Sequence, residues 1–277
     1  MEQIIFKPAL YKYSTCKEFA ESFSLSERDL ILTNEYIYEP YFGKLTLPCH
    51  VVYQEKYGLG EPSDVMAEAI LKDIGGLTFD RIIAIGGGTI IDLAKVFAVA
   101  DTMDMDELYA RMPALNKAKE LVIIPTTCGT GSEVTLAAVI TDGEKHHKYP
   151  INDFALIPDY AVLDPKLTLG LPPKVTATTG LDALTHAVEA YIGGPSNAFT
   201  WARSIEAVER ISRSLTEAVR NGQNMAARRD MLQAAFCAGE AFSRSYVGYV
   251  HALAHALGGR YGIAHGYANA VILPVFL

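Results

Sequence analysis

Cysteine is scarce in this sequence, with four among 277 residues, and no two of them form a C-x-x-C pair. That spacing excludes thiolate zinc sites and dithiol redox motifs, and reduced thiols in a cytoplasm are the expectation. Basic runs are missing too: 24 Lys and Arg stand against 32 Asp and Glu, a formal charge of −8. Clustered cations are what bind a phosphate backbone, so a nucleic-acid partner is excluded. No apolar run reaches the length of a bilayer span, and the N-terminal stretch MEQIIFKPALYKYST has neither the basic region nor the apolar core of a signal peptide. Half the residues are hydrophobic and a fifth are charged, a composition with length enough for one large or two moderate cores.

Short β-branched or apolar runs recur at residues 30–33, 50–53, 81–85, 121–124 and 137–141, with helical spacing between several of them, as at 65–74 and 90–100. Strands alternating with helices make a parallel sheet covered on both faces the economical arrangement. After Asp164-Pro165 the strand signal fades. Leu171-Pro172-Pro173 reads as a helix start, because proline lacks only an amide that the first turn leaves unpaired. Residues 177–191, 200–221, 226–241 and 248–257 then have the length and pattern of helices. The reading is an α/β domain over residues 1–168 and an all-helical domain over 169–277; the motifs that follow make the first a Rossmann-like dinucleotide-binding domain and the second a metal-binding one. The final apolar run, 266–277, stops without a polar cap, so either it is buried against a partner or the chain is shorter than its fold.

Two glycine-rich loops follow strong strand candidates. In RIIAIGGGTIIDLAK, Gly86, Gly87 and Gly88 let backbone approach a pyrophosphate, and the amides at the following helix start supply hydrogen bonds. An ordinary turn with Thr89 as N-cap is the alternative. The second loop, PTTCGTGSE, covers residues 125–133. Two such loops at the carboxyl ends of parallel strands fit a dinucleotide better than either loop does alone.

The helical half carries a second constellation. Asp182 and His186 are four apart, His251 and His255 repeat that spacing, and His265 follows a glycine-rich turn. An i, i+4 pair shares one helix face, and a carboxylate with imidazoles suits a divalent ion such as iron or zinc. A single pair of this kind arises easily by chance; two pairs with a further histidine favour a metal centre.

These segments together resemble the iron-containing (group III) alcohol dehydrogenase family: GGGTIIDLAK, PTTCGTGSEVT, IPDYAVLDP through GLDALTHAVEAY, and HALAHALGGRYGIAHGYANAVILP. The resemblance implies a hydride-transferring oxidoreductase with one divalent metal, iron before zinc, held by Asp182, His186, His251 and His265. It places His255 near the nicotinamide as a proton-handling residue. It assigns Gly86, Gly87, Gly88, Thr89, Asp92, Thr126, Thr127 and Ser132 to the cofactor, with Lys148 near its ribose. NAD is favoured, NADP is not excluded, and a homodimer is the family's lean. Asn34 stands where many NAD-preferring members have aspartate, and Arg244 where asparagine is common. Within the family the likeness is greatest to the 4-hydroxybutyrate branch, so the expected substrate is a short hydroxy acid or its semialdehyde, its carboxylate received by Arg244. Offsets of seven and eleven residues to His251 and His255 would put Arg244 on one helical face with both; a surface pair with Glu240 at i, i−4 is the alternative. A lyase of the dehydroquinate synthase type, or a shortened chain that binds without turnover, are the competing readings.

Overall fold

Ile82, Ile83, Ala84 and Ile85 follow one another without a polar break, and none is exposed. A strand so uniformly apolar belongs inside a sheet covered on both faces. The structure, a computed structural model, describes residues 8–13, 15–100, 105–111, 114–144 and 147–277. Residues 1–7 of the N-terminal stretch read above lie outside these.

The first 165 residues run β1 (Ala9–Tyr11), α1 (Cys16–Ser22), β2 (Asp29–Thr33), α2 (Glu35–Tyr41), β3 (His50–Tyr53), α3 (Asp64–Ile74), β4 (Arg81–Gly86), α4 (Gly88–Val99), α5 (Met105–Ala110), β5 (Glu120–Pro125), β6 (Ala137–Asp142), β7 (His147–Asn152) and β8 (Tyr160–Val162). Six strands form one sheet in the order β1-β8-β5-β4-β2-β3, with every neighbouring pair parallel. The Rossmann-like α/β expectation is met, with one correction. The run at 137–141 does not enter this sheet but pairs with β7 in a separate two-stranded one.

Five helices follow: α6 (Pro173–Ile192), α7 (Ala198–Arg220), α8 (Met225–Ser245), α9 (Tyr249–Tyr261) and α10 (His265–Phe276). Each predicted helix is present. α6 begins with proline at its first turn, where the missing amide costs nothing. α7 starts on a reciprocal cap in which the Asn197 side chain accepts from the Thr200 amide and the Thr200 hydroxyl accepts from the Asn197 amide. α6, α7 and α8 pack on one another through small residues, with Ala187, Ala207, Cys237 and Ala238 fully buried. The small side chains let the helix axes approach closely.

The chain divides into two compact units. One takes Met1–Pro125, Leu136–Gly143 and Tyr149–Asp164; the other takes Thr126–Thr135, Glu144–Lys148 and Pro165–Leu277. The second glycine-rich loop and Lys148 therefore belong with the helices rather than with the sheet. Among the described residues no helix is long and apolar enough to cross a membrane.

Candidate metal centre and cofactor loops

In the helical unit, α6 presents Asp182 and His186, α9 presents His251, and α10 opens on His265. The four donor atoms lie within 4.8 Å of one another. Gly266 makes this approach feasible: a Cβ there would stand 2.7 Å from the Thr178 carbonyl oxygen and 3.5 Å from Asp182 Cβ, so a side chain would push α10 off α6.

The surroundings aim the imidazoles. Glu189, one further turn along α6, accepts from the His251 Nδ1 at 2.6 Å and from the amides of Gly248 and Val250 at 2.9 and 2.7 Å. One buried carboxylate thus caps α9 and holds its histidine. Phe242 stacks on His186 with ring centroids 4.1 Å apart. Asn269 donates through Nδ2 to Asp182 Oδ1 at 2.6 Å and lies 3.2 Å from His265 Nε2. Glu189, Phe242 and Asn269 were missed in the sequence, although two left a signal. Asp182, His186 and Glu189 follow i, i+4, i+7 spacing, and Asn269 is four after His265.

Whether a cation suits these residues is tested by the atoms left over. His186 Nδ1 and His251 Nε2 are buried without a hydrogen-bond partner, and the latter is 3.8 Å from Asp182 Oδ1. Buried polar atoms are nearly always paired, so these two bare imidazole nitrogens, that of His251 facing the Asp182 carboxylate, fit a divalent ion. The electrostatics agree. Burial pushes His186 below the ordinary imidazole range, and His251 well below it with help from neighbouring His186. A lowered pKa favours the neutral ring, the form that ligates a metal. Burial works to raise the Asp182 carboxyl, but His186, His265 and His251 outweigh it and keep the group below its usual value. His255 is not among the four donors. Its ring is 5.0 Å from that of His265, and burial, then His265, lower its pKa to about 4.

The predicted cofactor residues separate into two groups. In the sheet unit, Gly87 is the N-cap of α4, without a side-chain cap, so Thr89 is not the cap and instead donates to the Gly60 carbonyl at 3.0 Å. Gly86 is required by packing, since a Cβ would lie 2.4 Å from Ile90 Cγ1. Asp92 accepts from the Val139 amide at 3.0 Å, tying α4 to β6. In the helical unit, Thr126 and Ser132 are buried and Thr127 partly exposed. Gly129 and Gly131 of that loop serve close packing, on Thr179 of α6 and Gly239 of α8 respectively, and Gly131 has φ +58°. Lys148 reaches Gly258 on α9, where a Cβ would meet its Nζ at 2.9 Å. Burial raises the thiols of Cys49, Cys128 and Cys237 to about 11, 12 and 11, which removes them as thiolate nucleophiles.

The single helical face assumed for Arg244 does not exist. α8 ends at Ser245, Tyr246 has φ +63°, and a new helix starts at Tyr249. Arg244 follows Phe242 by two residues, so the two side chains leave α8 on nearly opposite faces. Phe242 meets His186, whereas Arg244 lies over the Phe199 ring at 4.7 Å and donates to the Glu240 carbonyl at 2.9 Å.

A parallel sheet with a glycine loop, together with a buried His-and-Asp cluster on helices, defines a class of metal-dependent dehydrogenases using a nicotinamide dinucleotide. Residues 4–165 match the family model "Iron-containing alcohol dehydrogenase", and residues 176–277 match "Fe-containing alcohol dehydrogenase family, C-terminal". The chain belongs to the iron-containing alcohol dehydrogenase family, and with it to the oxidoreductases. It is 42% identical to the 4-hydroxybutyrate dehydrogenase of Clostridium kluyveri, over 97% of this chain and 73% of that protein. It spans about half of some other curated relatives, 51% of the 1,3-propanediol dehydrogenase of Citrobacter freundii. Among solved structures, the alcohol dehydrogenase from Oenococcus oeni superposes with a TM-score of 0.87 at 31% identity, over 96% of this chain and 73% of that one. The sulfoacetaldehyde reductase from Bifidobacterium kashiwanohense, solved with NAD+, gives 0.86 at 25%, over 99% and 76%.

Proposed function

We propose that this protein transfers a hydride reversibly between NAD and a short alcohol, and that its substrate pair is 4-hydroxybutyrate and succinate semialdehyde. The observation that carries the reading is the convergence of Asp182, His186, His251 and His265 within 4.8 Å, with two bare imidazole nitrogens among them. A divalent ion held there, iron before zinc, supplies Lewis acidity toward an alcohol or carbonyl oxygen. The chain's own residues prepare that place. Glu189 accepts a hydrogen bond from the Nδ1–H of His251 and so leaves Nε2 as the nitrogen with a free lone pair. Phe242 fixes the plane of His186. His255, neutral and beside His265, is the group assigned to proton handling. The amides of Gly87 to Thr89 at the start of α4 receive the pyrophosphate, while Gly86 and Asp92 fix that turn against the helix and β6. Thr126, Thr127, Ser132 and Lys148 are assigned to the cofactor by the family resemblance.

The substrate rests on the similarity to 4-hydroxybutyrate dehydrogenase, supported by the anionic aldehyde named for the sulfoacetaldehyde reductase. Arg244 is withdrawn as receiver of the carboxylate, because its side chain leaves α8 on the face away from His186. A cytoplasmic homodimer completes the reading. The test is the steady-state change in NADH absorbance with succinate semialdehyde and with butanal, before and after chelation and iron reconstitution. Metal-dependent oxidation of NADH, at least about tenfold greater in kcat/KM for the acid, is expected. No net oxidation with either aldehyde contradicts a dehydrogenase; equal rates contradict the hydroxy-acid assignment.

A further inference from the structure

Asn34 follows the last residue of β2 and is the N-cap of α2. Its neighbour Thr33 stands in register with Ile85 of β4 on one side and Tyr53 of β3 on the other. In open parallel sheets that bind a dinucleotide, a carboxylate at such a strand end accepts a hydrogen bond from the adenine ribose and keeps a 2′-phosphate away. β2 offers only an amide, yet a carboxylate is there. Glu55, two residues beyond Tyr53, accepts from Asn34 Nδ2 at 2.9 Å through one oxygen and from the Glu35 amide at 2.6 Å through the other. Asn34 Nδ2 also lies 3.3 Å from Gln54 Oε1. The amide is buried and spends its donors on the chain that follows β3, whereas Glu55 is only partly buried. The role of Asn34 is therefore to hold the Glu55 carboxylate over the end of β2.

We propose that Glu55 is the residue that selects NAD over NADP, a carboxylate supplied by the turn after β3 in place of one at the end of β2. The proposal rests on the dinucleotide reading above. A carboxylate offers about four acceptor sites, so one that already receives two N–H donors still has places for a ribose hydroxyl. A 2′-phosphate brought to the same point sets a second anion against a first. The competing account is that Glu55 only secures α2 through the Glu35 amide; this would move stability and leave cofactor choice untouched.

The experiment measures dissociation constants of NADH and NADPH, by nucleotide fluorescence, for the full chain and for Glu55→Gln, Glu55→Ala and Glu55→Asp, with Tm recorded on each sample. The parent should bind NADH at least about tenfold tighter, Glu55→Gln and Glu55→Ala should shrink that preference about tenfold, and Glu55→Asp should keep most of it. Should Glu55→Gln prove unfolded by its Tm, Glu55→Ala carries the comparison. A parent without preference, or folded variants that keep the parent's ratio, would overturn the assignment while leaving dinucleotide binding intact. A parent that binds neither nucleotide overturns the dinucleotide reading itself, and Glu55 with it.

Discussion

Glu189 shows how much one side chain does at this centre. Its carboxylate receives the first amides of α9 and the Nδ1 proton of His251 together, and Gly248 leaves it room, since a Cβ there would lie 2.8 Å from Glu189 Oε1. A glutamine keeps the shape but replaces one acceptor oxygen with a donor. Either an amide of α9 then faces another N–H, or His251 adopts the tautomer with its proton on Nε2, toward Asp182. Glu189→Gln should therefore weaken divalent-ion affinity by about 10- to 100-fold, measured by competition with a chelator on cobalt(II). Unchanged affinity would mean that the carboxylate serves only as a helix cap. The residue was within reach of sequence reasoning, as the third member of the Asp182, His186 face. It was passed over because glutamate on a helix is ordinarily a solvated charge, and only the tertiary meeting with α9 buries this one.

At the scale of elements, α7 and α8 are joined by a carboxylate that serves three donors. Asp230 accepts from Arg210, Arg213 and the Ser214 hydroxyl at 2.9, 2.7 and 2.8 Å. Burial acts to raise its pKa, but the Ser214 and Arg213 hydrogen bonds prevail and hold it below the usual value. A carboxyl whose folded pKa is depressed contributes stability above its unfolded pKa and loses it as pH falls through the folded one. Asp230→Asn should thus lower Tm at neutral pH, with the deficit shrinking below about pH 4; a deficit independent of pH would assign the effect to packing. The break between α8 and α9 teaches a different lesson. Spacing alone carried Arg244, His251 and His255 onto one face, whereas the chain turns at Tyr246 with a positive φ that no glycine announces. Strands were legible where burial on both faces demanded unbroken apolar runs, as in β2, β4 and β5. β1 and β8 were not, because three residues at a time carry too little pattern.

At the scale of the whole chain, the α/β and helical halves were legible in composition and periodicity; spacing paired Asp182 with His186 and His251 with His255, and only the family resemblance made the set Asp182, His186, His251 and His265 legible. Which side of the division each loop joins was not. PTTCGTGSE follows a strand and so reads as part of the sheet, but Gly129 and Gly131 are shaped to let α6 and α8 approach, contacts that only the folded helices supply. The proposed chemistry requires that Asp182, His186, His251 and His265 hold an ion. The direct measurement is metal content per chain after anaerobic iron loading, for the parent, Asp182→Ala, His265→Ala and His255→Ala. About one ion is expected in the parent and in His255→Ala, and little in the other two. Equal content in the parent, Asp182→Ala and His265→Ala, or a loss in His255→Ala as complete as in those variants, would contradict it.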